Sequence, residues 1–422
     1  MVDAQLNPPP SDVAAAARPV SGVRSATGRP VLMIVHSYYE EDPRVRREAE
    51  ALVAAGYPVT VIGLRRPGEP PTGTVAGVDV ERLDVQRHQG AGFGTYLREY
   101  LSFFVRSSWT AVRLHRRHRF RLVQVHSLPD FLAFAALPLR LAGVPLVLDL
   151  HEAMPEFFKT RFPEASNPVM NRLLLLQERL SIAISNRTLS VNNAMRDRLV
   201  ALGVRPDKLQ VVINTPALGR FDAARHRVRH FREDGRLRLI YTGALTPTYE
   251  LDATVRAVAS IATQRPDLGV VLDLYGRGDS EAELRALAEA LGIGDRVVFH
   301  GRIPIEDVPA AVAEADIGLA PTRLDPFTHM TLSTKVYEYA AMGKPVVASR
   351  LPLIEQTFPA DSVYAYEPGS ASAMAEAIIR LADDSAERLA RVERTSRIVR
   401  ETSWEVASRP YLQLVGQLTG SG

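Results

Sequence analysis

The sequence predicts an α/β protein made of two doubly wound parallel sheets in series. Three observations carry that prediction. The chain has 422 residues, more than one hydrophobic core organises, so at least two packed units are expected. Short continuous apolar runs alternate with longer amphipathic ones, the signature of repeated βαβ units. The alternation breaks once, near the middle, and then resumes. A composition of 46% hydrophobic and 23% charged residues belongs to an ordinary globular protein.

Residues 1–29 are rich in Pro, Ala, Ser and Gly. They lack a basic start followed by an apolar core, so they read as a disordered tail and not as a signal peptide. Val31–Val35 is a strand apolar on both faces, as in a covered parallel sheet. In the run 44–55, Val45, Ala49, Leu52 and Val53 share one helical stripe, and Gly56 is a helix stop. Further strands are expected at 59–62, 122–125, 146–150, 188–191 and 210–213, which gives a first domain over 30–215. Residues 216–236, rich in Arg, His and Asp without a clear period, read as a linker. Strands at 237–242, 270–275, 296–299, 317–320, 345–349 and 363–366 define a second domain over 237–402. A last amphipathic segment, 403–418, is expected to return to the first domain. Open parallel sheets bind ligands beyond the carboxyl ends of their strands. Two such sheets facing each other place a ligand cleft between the domains.

Composition also excludes. Cysteine is absent, so disulfides, thiolate metal sites, Fe–S clusters and cysteine nucleophiles are ruled out; a reducing, cytoplasmic setting is expected. A net charge of +3 is small for this length, and no nucleic-acid partner is expected. The most apolar window, 131–150, contains Pro138, Arg140 and Pro145, so no spanning helix is read. Arg98 to Arg121 is a basic run with His115 and His118, interleaved with Tyr100, Phe103, Phe104 and Trp109. It reads either as a basic amphipathic helix making peripheral contact with an anionic membrane, at its inner face, or as a solvated helix with its aromatics in the core.

Several motifs fail on inspection. His151-Glu152 opens like a zinc-protease motif, but Pro155 stands at its fifth position. Gly343-Lys344 lacks the earlier Gly and the Ser/Thr of a P-loop. Gly276-Arg277-Gly278 has no third Gly in phase, leaving a tight turn where backbone amides near a helix start approach an anion. The segment Thr328 to Ser349 is more informative. A Ser/Thr-rich loop enters a helix that stops at Gly343 and feeds a strand. Lys335 and Glu338 are three apart and share a helical face. A phosphate at the helix start beside the Lys ammonium is favourable, and a carboxylate one turn on suits a ribose diol. An ordinary exposed ion pair is the plainer alternative.

Thr334-Lys-Val-Tyr-Glu338-Tyr-Ala-Ala-Met-Gly343-Lys-Pro-Val346 resembles the nucleotide-binding signature of a sub-branch of retaining glycosyltransferases of family GT4, which have the GT-B fold. The segments His36 to Glu48, Val125 to Asp130, Leu148 to Glu152, Tyr275 to Gly278 and Phe299 to Ile303 are similar to other parts of that family, in the same order. The resemblance covers nearly all of residues 30–418. Two departures stand out: Met330 replaces the first Glu of the usual pattern, and Ala244 replaces an Arg after Gly243, with no Lys following.

The resemblance implies a sugar moved from a nucleotide-diphosphate-sugar to an acceptor hydroxyl with retention. No cofactor and no metal are implied. Lys335, His126 and Arg277 would serve the chemistry. Glu338, Gly243, Gly276, Gly278, Arg302, Ile303, Thr331, Leu332, Ser333 and Thr334 would hold the donor nucleotide. Asp42, Arg44 and Glu152 would stand on the acceptor side. Plainer readings remain beside these: His126 packed at a strand end, Asp42 and Arg44 as an N-cap and first turn, Glu152 as a cap. Two alternative functions are a nucleotide-sugar epimerase of similar fold and a non-catalytic sugar-nucleotide-binding partner.

Overall fold

The computed structural model describes residues 29–86 and 93–420. All but Arg29 of the expected N-terminal tail lies outside the described residues. The first sheet contains β1 (Val31–Ile34), β2 (Val59–Leu64), β3 (Thr72–Val75), β4 (Val78–Leu83), β5 (Leu122–His126), β6 (Leu146–Leu150), β7 (Arg187–Ser190) and β8 (Leu209–Val211). Their spatial order is β3-β4-β2-β1-β5-β6-β7-β8. Its helices are α1 (Pro43–Ala54), α2 (Phe93–His118), α3 (Leu137–Leu141), α4 (Met154–Arg161), α5 (Pro168–Ile184) and α6 (Asn193–Ala201). The second sheet contains β9 (Arg238–Thr242), β10 (Val271–Tyr275), β11 (Val297–Gly301), β12 (Ile317–Ala320), β13 (Val346–Ser349) and β14 (Tyr364–Tyr366), ordered β11-β10-β9-β12-β13-β14. Around it lie α7 (Leu251–Gln264), α8 (Glu281–Ala290), α9 (Val308–Ala313), α10 (Thr334–Ala341), α11 (Pro352–Thr357), α12 (Ala371–Asp383) and α13 (Ser385–Glu401).

Local sequence explains the elements. β1, β12 and β13 are buried at every position, which is why they read as unbroken apolar runs. Asp42 caps α1 by accepting from the Val45 amide, and Pro43 takes the first helical position. Asn167 and Pro168 do the same for α5. The β3–β4 hairpin, the one antiparallel pair among the described residues, is not legible in the sequence. Its residues alternate or are exposed, and its turn, Ala76-Gly77, carries positive φ at both residues, as a tight hairpin requires.

The last helix, α14 (Trp404–Thr419), lies with α1 on one face of the first sheet, where Trp404, Tyr411, Leu414 and Val415 share a core with Val31, Met33 and Leu52. The Tyr411 hydroxyl donates to Gln124 on β5 at 2.9 Å. α2, α3 and the turn Asp130–Ala136 cover the opposite face. Residues 216–236 are not a free linker. Phe221 is buried in the second domain's core, and buried Arg229 donates to the Arg236 carbonyl and pairs with Asp234. The scattered charges that hid any period are these partners. No helix among the described residues is long and apolar enough to cross a membrane.

Asp130 is fully buried, and neither carboxylate oxygen has a hydrogen-bond partner. Burial, aided by Glu178 and opposed by Arg198, pushes its carboxyl well above the usual 3.8. Its contribution to stability is therefore full below about pH 4 and is lost as pH rises through the folded value. Asp130→Asn is expected to raise the melting temperature at neutral pH and to change it little at pH 4. A gain no larger at neutral than at acid pH would refute this reading.

Candidate functional site in the interdomain cleft

The carboxyl ends of β6, β7 and β8 face those of β9 and β12 across the cleft. β9 and β12 are neighbours at the point where the second sheet reverses its strand order, the position where doubly wound sheets take ligands. Residues following these strands line a cavity of about 200 Å³. His151, Glu152, Asn192 and Asn214 come from the first domain, and Tyr249, Thr322 and the loop from Phe327 to Lys335 come from the second.

On the first domain's side, two imidazoles converge on one carboxylate. His126 Nδ1 and His151 Nε2 lie 3.0 and 2.9 Å from Asp149 Oδ2. An ionised carboxylate only accepts, so both nitrogens donate. This leaves His126 Nε2 buried without a partner and Nδ1 as the remaining polar atom of the His151 ring. Asp149 is fixed from behind by Arg44, whose Nε and Nη2 donate at 2.9 and 2.6 Å. Burial opposes ionisation of Asp149, yet Arg44 and His151 hold it well below the usual carboxylate range. His126, Asp149 and His151 offer three ligand atoms within 4.8 Å of one another, but the Arg44 guanidinium already neutralises Asp149 where a metal would. Next in the chain, burial pushes the Glu152 carboxyl up to about 7 against the pull of His151.

On the second domain's side, the start of α10 faces the cavity. The Ser333 hydroxyl there is buried without a hydrogen-bond partner. Lys335 is buried, and its Nζ sits 4.1 Å from the Tyr249 ring centroid and 5.1 Å from that of Tyr241. Two ring faces hold this ammonium, with no carboxylate of the described residues within ion-pair distance. One turn on, burial raises the Glu338 carboxyl despite Lys335, Arg47 and Arg220 nearby. Arg47, from α1, is itself lowered to about 10, first by burial and then by Arg44.

The domains also grip each other. Asn192 Nδ2 donates to the Met330 carbonyl at 2.9 Å. Arg46 Nη1 reaches Glu306 at 2.6 Å, and Arg302 pairs with Glu41.

Residues 236–384 match the family model described as glycosyl transferases group 1, and residues 41–215 match the glycosyl transferase 4-like domain. The chain belongs to the GT4 glycosyltransferases. It is 26% identical over 219 residues to the D-inositol 3-phosphate glycosyltransferase of Acidothermus cellulolyticus, a match spanning 50% of this chain and 48% of that relative. In fold it is similar to the sucrose-phosphate synthase of Thermosynechococcus elongatus, with a TM-score of 0.75, 20% identity, and coverage of 93% of this chain and 100% of that one. It is likewise similar to HepE of Anabaena in complex with UDP and glucose, at TM-score 0.67 and 16% identity, covering 92% and 100%. These likenesses identify the two-domain GT-B fold.

The chain places its expected site residues unevenly. Lys335, Thr331, Leu332, Ser333, Thr334 and Glu152 line the cavity, although the Thr331 hydroxyl is spent on the Thr328 carbonyl. Glu338 lies just behind Lys335. His126 does not reach the cavity: it is fully buried, and the neighbouring His151 borders it instead. Asp42 and Arg44 do not line the cavity. The Asp42 carboxylate accepts from the Val45 amide and the Ser37 hydroxyl. Arg44 is buried on Asp149, Glu48 and the Val212 carbonyl.

The glycine turns pack against each other. The Gly243 amide donates to the Tyr275 carbonyl and the Gly276 amide to the Gly301 carbonyl, so neither is left for an anion. A Cβ on Gly276 would stand 1.7 Å from the Gly243 carbonyl oxygen, and one on Gly278 would stand 2.2 Å from that of Leu245. These glycines let two turns pack backbone to backbone. Arg277 is exposed and Arg302 pairs across the cleft, and neither they nor Ile303 line the cavity. His151 and Asn192 went unassigned in the sequence; the available signal was their position directly after apolar strand runs.

Proposed function

We propose that the protein transfers a sugar from a nucleoside-diphosphate donor to an acceptor hydroxyl with retention of anomeric configuration. The observation that carries this is the start of α10 at the sheet's switch point, where the buried ammonium of Lys335 and the unpartnered Ser333 hydroxyl border the cleft cavity. Membership of family GT4 supports the reaction class, and the UDP and glucose in the HepE structure support the donor class. Ligands of drug size fill roughly 300–1,000 Å³, so the 200 Å³ cavity suits the sugar and the reacting atoms. The nucleotide then extends toward Glu338.

Each side chain has a task in this reading. Lys335 and the helix start take the charge that grows on the leaving diphosphate. Glu338 takes the ribose hydroxyls. His151 accepts a hydrogen bond from the transferred sugar. Glu152 stands where the acceptor enters. A cation already in place lets the diphosphate leave without a resident metal, and the departing phosphate oxygen takes the acceptor's proton.

The test is donor turnover with the Glu338→Ala variant. Removing charge-assisted hydrogen bonds of roughly 1.5–3 kcal/mol is expected to raise donor KM about ten-fold or more, with little change in melting temperature. An unchanged KM with lost stability would make Glu338 structural. Binding of donor by the parent protein with neither transfer nor slow donor hydrolysis would overturn the enzymatic reading.

A further inference from the structure

Two helices of the first domain present apolar stripes that nothing in the described chain covers. On α2, Leu97, Leu101, Val105 and Trp109 recur every fourth residue and are 40, 49, 64 and 67% exposed. On α5, Val169, Leu173, Leu176 and Leu180 follow helical spacing and are 66, 54, 52 and 48% exposed. Each helix buries a different face. α2 packs Phe103, Ala111 and Leu114 on the sheet, and α5 packs Leu174 and Ile182 inward. The two helices flank the same turn, Asp130–Ala136, and Tyr96 of α2 meets Phe162, which precedes α5, with ring centroids 5.5 Å apart. The two helices are therefore neighbours, with Tyr96 and Leu174 packed in one cluster.

The charge on these helices is one-sided. Arg98, Arg106, Arg113, Arg116 and Arg117 on α2, and Arg172 and Arg179 on α5, are exposed; of these, Arg113 pairs with Glu81 on β4 and Arg106 donates to the Asp84 carbonyl. The acidic residues of the two helices, Glu99 and Glu178, are 5 and 1% exposed; Glu99 meets His36, and Glu178 meets Arg198. Scattered exposed apolar residues need no explanation, but two stripes on neighbouring helices that expose only cations of their own do. A second copy of this chain would bring arginines against arginines. A surface of anionic headgroups over acyl chains satisfies both features at once.

We infer that the face formed by α2 and α5 docks on an anionic lipid bilayer, with both stripes entering the headgroup boundary and the arginines pairing with lipid phosphates. The second stripe is what makes the contact a plane rather than a single helix. This deepens the proposed function by fixing the surface at which the cleft operates, yet it stands on its own observations.

The test is flotation of the full chain with vesicles of phosphatidylcholine alone or mixed equally with phosphatidylglycerol. Binding is expected only to the mixed vesicles, and it is expected to weaken with salt, because exposed charges are screened within about 10 Å at 0.1 M. Trp109 is exposed and Trp404 buried, so a blue shift of tryptophan emission on the mixed vesicles reports insertion of α2. The variant Leu173→Ser/Leu176→Ser/Leu180→Ser is expected to lose flotation as fully as Leu101→Ser/Trp109→Ser, and each exposed Arg→Gln change is expected to cost about five-fold in partitioning. Both apolar variants are expected to keep the parent's donor hydrolysis, which separates failure here from failure of the sugar-transfer reading. No binding to the mixed vesicles at low salt overturns the proposal. So does full binding by the α5 variant, or a dimer in solution that the α5 variant dissolves.

Discussion

Replacing Lys335 with alanine is expected to lower kcat by on the order of 10²–10³-fold, the loss that follows removal of one electrostatic donor from a transition state. Donor KM is expected to move much less. The reason lies in where the ammonium sits. It is buried over the faces of Tyr249 and Tyr241, so binding a phosphate breaks no ion pair. Charge on the diphosphate grows as the glycosidic bond breaks, and a fixed cation then stabilises the transition state more than the bound donor. No basic residue lies between Gly243 and Glu250, Arg277 is exposed and Arg302 is engaged by Glu41, so few other cations serve the same oxygens. Lys335→Arg is expected to recover only part of the rate, because a planar fork is not a point charge. Steady-state kinetics on both variants check this. A rise in KM with kcat intact would make Lys335 a uniform binding contact instead.

The second large effect concerns the buried pair behind the histidines. Asp149→Ala leaves the Arg44 guanidinium buried beside only Glu48 and the Val212 carbonyl. Breaking one partner of such a pair costs about 3–5 kcal/mol. For a domain of this size the melting temperature is expected to fall on the order of 10 °C. Glu48 is buried and also pairs with Arg44, so the triple change Arg44→Met/Glu48→Gln/Asp149→Leu is needed to remove all three charges, and it is expected to recover most of the loss, since apolar replacements of buried ion clusters are often neutral. Activity is not expected to return with it, because His151 loses the acceptor that orients its ring. Thermal melts of the single and triple variants, alongside turnover, check both halves. A single variant melting with the parent would show that solvent reaches Arg44.

Much of the fold follows from one-dimensional pattern. Strands covered on both faces are unbroken apolar runs, and a helix with one buried face repeats its apolar residues every three or four positions. Both signals survive without tertiary information, so β1, β12, β13 and α10 are legible along the chain. The β3–β4 hairpin is not, because an exposed edge pair carries neither signal. The loop from Phe327 to Lys335 is legible in the same local way, since its hydroxyls, its lysine and its helix start are neighbours in sequence.

What the sequence by itself determined is therefore the two-sheet architecture and the one site segment whose residues are contiguous. The tertiary structure alone decided everything that rests on contacts between distant residues. It put His151, and not His126, at the cavity, because Asp149 and Arg44 hold both rings and only one of them borders the cleft. It spent the Gly243 and Gly276 amides on carbonyls from other strands, and it turned residues 216–236 into packed chain. It also decided which helix faces go uncovered. A stripe of leucines has the same pattern whether it is buried or bare, and only the packing of its neighbours tells the two apart.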